Sequence, residues 1–94
     1  MLRLYWARND GMTGHVFLGS RELAELTREM EAQGMTGWLD PNRLRAGERI
    51  PPGAIDLALA QAMETPQAAE DARLWSDWLR FLRGAVENGG LVVR

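Results

Sequence analysis

The residues able to do acid–base or covalent chemistry are few. His15 is the single histidine, Ser20 and Ser76 are the only serines, and neither cysteine nor lysine occurs. A histidine acts as a general base when a carboxylate orients it and a nucleophile stands beside it. Asp10 lies near His15 across the Asn9-Asp10-Gly11 turn and could supply that carboxylate. Neither serine sits in a nucleophile motif, and Ser20 is better placed to cap a helix. One imidazole cannot build a multi-histidine metal centre. Without thiols there are no disulfides, thiolate metal sites, iron–sulfur clusters or cysteine nucleophiles. Without lysine there is no Schiff base and no P-loop cation. The expectation is no catalytic set, no metal and no cofactor. A small hydrolase or isomerase using His15 and a carboxylate is the weakest of three functional readings.

The aromatic residues carry the strongest reading. Four tryptophans, Trp6, Trp38, Trp75 and Trp78, are many for 94 residues. Trp75 and Trp78 are three apart, so they neighbour each other on one helical face, with Arg80 and Phe81 following. The apolar sector around them can serve as core, laid on a sheet near Trp6 or Trp38. It can also exceed what the sheet covers. Trp75, Trp78, Phe81 and Arg80 would then meet a partner, as buried aromatics and arginines do at interface centres. This second use predicts a non-catalytic protein-interaction module: an adaptor, a regulatory subunit, or an inhibitor or immunity-type binder. Its partner would be another protein or a second copy of the chain.

The third reading is nucleic-acid binding through Arg43, Arg45 and Arg49 in one loop and Arg80 and Arg83 on the aromatic helix. Arginine forks match phosphate and stack on bases. The charge balance weakens it. Residues 1–42 and 54–94 each carry −2, and only 43–53 carry a surplus, of +2, within a net charge of −2. No broad basic face is visible along the chain. Asp77 and Glu87 also lie within a turn of Arg80 and Arg83. Glu22, Glu25 and Glu29 read as a solvated helix face or as an acidic docking surface.

These side chains need a scaffold, and the hydrophobic pattern supplies one. Leu2, Leu4 and Trp6 alternate with Arg3, Tyr5 and Ala7. Beyond the Asn-Asp-Gly turn, Thr13, His15 and Phe17 alternate with Gly14, Val16 and Leu18. The spacing predicts a hairpin over 2–18, with Leu2, Leu4, Trp6, Val16 and Leu18 facing the core. A first helix follows over 21–33, capped by Ser20 and stopped by Gly34. Residues 35–39, around Trp38, read as a short third strand, and 40–53 as a loop. Pro52 opens a second helix over 52–63. Thr65-Pro66 opens a third over 66–87, roughly 33 Å long at 1.5 Å per residue. That would span a globule of about 32 Å diameter. Leu91-Val92-Val93 reads as a final strand.

The resulting expectation is a single α+β domain over 1–94: a small, mainly antiparallel sheet packed against about three helices in the order β-β-α-β-α-α-β. Apolar residues at 46% and charged residues at 26% are the balance of an ordinary globular chain. No apolar run approaches the ~18 residues of a membrane span, and the first residues lack a signal-peptide core. Cytoplasmic residence without membrane contact is the expectation.

Overall fold

The computed structural model describes residues 1–8, 13–35 and 44–94. Strand β1 (Leu2–Trp6) and strand β2 (His15–Leu18) form the predicted antiparallel hairpin. Its register pairs Leu2 with Leu18, Arg3 with Phe17, Leu4 with Val16 and Tyr5 with His15. The expected Asn9-Asp10-Gly11 turn lies outside the described residues. Helix α1 (Ser20–Ala32), strand β3 (Arg49–Ile50), helix α2 (Pro52–Leu59), helix α3 (Ala72–Glu87) and strand β4 (Leu91–Val93) complete the order β-β-α-β-α-α-β. The four strands make one antiparallel sheet in the order β2-β1-β4-β3.

Period two then decides what each face of the sheet carries. Leu4, Leu18, Ile50, Leu91 and Val93 point to one side and are buried. They join Leu26 and Met30 of α1, Ile55 and Ala58 of α2, and Trp75, Trp78, Leu79, Leu82 and Ala85 of α3 in one core. All three helices lie on that side. Among the described residues, no helix is long and apolar enough to cross a membrane.

Several boundaries differ from the sequence reading. The third strand of the chain is Arg49–Ile50, inside the segment read as loop. Pairing with β4 creates it: Arg49 lies opposite Val92 and Ile50 opposite Leu91. Two residues have no periodicity to recognise, so only the distant partner could reveal them. Met35 is buried outside any regular element, and the rest of the expected 35–39 strand, Trp38 included, lies outside the described residues. Helix α1 is capped by Gly19, with no side-chain cap, so Ser20 is its first helical residue rather than its cap. Helix α2 ends at Leu59, four residues early. Beyond it the Met63 peptide is taken by side chains, its amide donating to Gln33 Oε1 and its carbonyl accepting from Trp75 Nε1.

The largest difference is at α3, which starts at Ala72 rather than 66. The amides of residues 67–71 are claimed by carboxylates of α1. Glu29 Oε2 accepts from Gln67 N at 2.7 Å, and Glu29 Oε1 from Ala68 N and Ala69 N, both at 2.6 Å. Glu25 Oε1 accepts from Glu70 N at 2.7 Å and Asp71 N at 3.0 Å. Asp71 then caps the helix, its Oδ1 accepting from Arg73 N and Leu74 N, each at 3.0 Å. Sixteen residues remain, roughly 24 Å. The helix therefore stops short of the 32 Å long axis that it was expected to span.

Candidate functional site: the open face of the sheet

The aromatic helix does not keep its rings for a partner. Trp75 is 0% exposed, Trp78 2% and Phe81 7%. The expectation of uncovered aromatic surface on this helix is thus corrected, and the reason lies in what packs on it. Trp75 reaches back to the segment after α2, its Nε1 donating to Met63 O at 2.8 Å. Trp78 stacks on Phe81 with centroids 5.9 Å apart, and Phe81 stacks on Trp6 at 6.2 Å. Trp6 Nε1 donates to Phe81 O at 2.9 Å. The sheet and α2 together hide more of α3 than the hairpin alone could. Of the four residues assigned to that surface, Arg80 alone is exposed, and it pairs with Asp77 at 3.5 Å. Arg83 pairs with Glu64.

Where Phe81 keeps an edge, a shallow groove of about 460 Å³ opens between Trp6, Gly14, His15, Arg80, Phe81 and Gly84. The two glycines exist for Trp6. A Cβ at Gly84 would stand 2.0 Å from Trp6 Cζ2, and one at Gly14 would stand 2.4 Å from Trp6 Cε3. The indole is thus clamped between the hairpin and the back of α3.

The acids of α1 are equally committed to the interior. Glu29 is fully buried and accepts four hydrogen bonds, the fourth from Gln33 Nε2 at 2.6 Å. Burial pushes its carboxyl up. The amides of Gln67, Ala68 and Ala69 and the Gln33 side chain pull it down, and they win, holding it below the usual glutamate range. Neither Glu25 nor Glu29 belongs to a freely solvated face. Among the described residues, no group of three potential ligands could hold a metal ion.

The opposite side of the sheet is different. Among the described residues no helix covers it, and the same alternation that buries Leu4 and Leu18 sends Arg3, Tyr5, His15 and Phe17 outward. Arg3, His15, Phe17, Arg49 and Arg94 are exposed, and Tyr5 and Val92 are half-buried. The register sets them in two rows. His15, Tyr5, Val92 and Arg49 run across all four strands. Phe17 and Arg3 form the second row, extended by Arg94, whose amide donates to Arg3 O.

Three rings gather at one end of these rows. Centroids are 6.1 Å apart for Tyr5 and His15, 6.0 Å for Tyr5 and Phe17, and 5.2 Å for His15 and Phe17. Three guanidiniums, Arg3, Arg49 and Arg94, spread toward the other end. Arg94 Cζ lies 5.0 Å from the Tyr5 ring centroid, a cation–π arrangement. None of the strand residues facing this side is a carboxylate, and among the described residues none of the three arginines is ion-paired.

This placement sorts the remaining candidates. Arg49 joins the open face, Arg45 is exposed in the loop before it, and Arg43 lies outside the described residues. His15 sits among rings rather than against an acid. No hydrogen bond ties it to a carboxylate among the described residues, and Asp10 lies outside them. Sequence reasoning missed Arg3, Tyr5, Phe17 and Arg94 as site residues. For Arg3, Tyr5 and Phe17 the signal was present, since the alternation that gives Leu4 to the core gives its neighbours to the other side. For Arg94 only the strand pairing supplies it. No protein-family model, curated protein or solved structure matches this chain.

Proposed function

We propose that the protein is a non-catalytic binding module and that its contact surface is the open face of the sheet. One observation carries this reading: among the described residues, three rings and three arginines without ion pairs share a face with no acidic strand residue. Exposed aromatic area and guanidiniums without ion pairs are the residue types that anchor interfaces. The rings touch one another, and the Arg94 guanidinium lies over Tyr5. The non-catalytic part rests on His15, whose ring stands beside Tyr5 and Phe17 and has no hydrogen bond to a carboxylate among the described residues.

The test works whatever the partner is. A photo-crosslinking amino acid replaces Phe17 in one variant and Leu57 in another, and each full chain is illuminated in its native cells. Leu57 is the control because it is the more exposed of the two, at 74% against 47%, but lies on α2. A discrete adduct at position 17 and none at 57 is the expected outcome. Equal labelling at both positions, or none at 17, overturns the reading.

A further inference from the structure

We infer that the occupant of the open sheet face is a single-stranded nucleic acid, bases stacked on Tyr5, His15 and Phe17 and phosphates running over Arg3, Arg94 and Arg49. The inference rests on the binding-module reading and names its partner.

Charge selects the class of ligand. The chain as a whole is acidic, with net charge −2. Yet its open strand positions carry arginines and no acids. Arg3 and Arg94 stand on adjacent strands, joined through the Arg94 amide and the Arg3 carbonyl at 3.0 Å. Like charges set side by side repel, and no acidic side chain among the strand residues of this face relieves them. An anion laid across them removes that repulsion. Guanidinium forks take phosphate or carboxylate oxygens in a bidentate fit.

The rings choose between kinds of polyanion. An acidic peptide would satisfy the arginines but leaves three clustered aromatic faces unused. A duplex offers phosphates but keeps its bases stacked inside. A single strand presents both groups at once, and stacking on an aromatic side chain is available to any base. The layout is also ordered. Rings occupy the β2–β1 half of the sheet, and Arg94 and Arg49 occupy the β4–β3 half. Four strands at ~4.8 Å spacing are about 14 Å wide, room for two or three splayed nucleotides.

The experiment is fluorescence anisotropy with labelled dT12 and U12 against the full chain. A duplex of equal length and polyglutamate serve as competitors. Saturable binding of at least one oligonucleotide is expected, with neither competitor displacing it at equal concentration. Three phosphate contacts on a single strand imply a loss of about 20-fold between 50 and 200 mM salt, and Arg49→Ala should reduce that loss to about 7-fold. Phe17→Ala should weaken binding about 5-fold or more while leaving the salt slope unchanged. Circular dichroism of each variant separates lost binding from lost fold, and Arg94→Ala gives a second charge variant should Arg49→Ala unfold. Absence of binding at 50 mM salt overturns the proposal, as does affinity indifferent to Phe17→Ala or displacement by the duplex. A protein crosslinked at position 17 without oligonucleotide binding would sink this inference and leave the binding module standing. Failure of both experiments removes both.

Discussion

At the scale of single residues, the tryptophans act as pins. Two of the described indoles join parts of the chain, Trp6 to α3 and Trp75 to the segment after α2. Gly84 shows how strict one of these joints is. Glycine inside a helix costs roughly 0.5–1 kcal/mol relative to alanine. Here the indole of Trp6 lies where a Cβ would be. Gly84→Ala should therefore destabilise the protein by about 1–2 kcal/mol, the overpacking penalty exceeding the gain in helix propensity. In a Trp6→Ala background the same substitution should become stabilising. Urea unfolding of the four proteins checks this, and a more stable Gly84→Ala single variant would refute the clamp.

At the scale of elements, the segment 67–71 is a strap tied to α1 by two carboxylates. Alanine and glutamate in that stretch favour helix, and Thr65-Pro66 resembles a helix start, so local propensity points to residue 66. Glu25 and Glu29 overrule it because charged acceptors bind backbone amides about twice as strongly as neutral ones. Glu29→Gln would turn an amide NH2 toward donors that now meet an oxygen. A loss of about 2–3 kcal/mol is expected, seen as a thermal midpoint lower by roughly 10 °C or more. The carboxyl is held below its ordinary range in the folded protein. Its stabilising contribution is therefore complete above the unfolded glutamate value and drains away as pH falls through the lower, folded one. Unfolding free energy followed from about pH 7 to about pH 3 should fall less steeply in Glu29→Gln than in the wild type. Equal slopes would show that other groups carry the acid sensitivity.

At the scale of the whole molecule, one sheet separates two jobs. Its helix side is core, and its open side carries exposed arginines and rings. Leu4→Ala should cost about 2–5 kcal/mol, since it leaves a cavity under α3. Arg3→Ala, one residue away on the other face, should move the thermal midpoint by no more than about 3 °C. Thermal melts of the two variants test this division. A large loss in Arg3→Ala would mean that the open face is part of the fold after all.

The amino-acid sequence by itself determined the hairpin strands, the existence of three helices and the final strand, because each rests on local periodicity. It also placed Leu4, Leu18 and the α3 apolar stripe in the core. Only the tertiary structure decided that β4 inserts beside β1 and calls a two-residue strand into being at Arg49–Ile50. It likewise decided that α1 carboxylates unwind the start of α3, that the aromatic helix is covered, and that Arg3, Arg49 and Arg94 share a face. Those outcomes depend on partners 12 to 91 positions apart in the chain. No local pattern encodes such pairings, since they are selected by which distant surfaces and amides fit together once the core has formed.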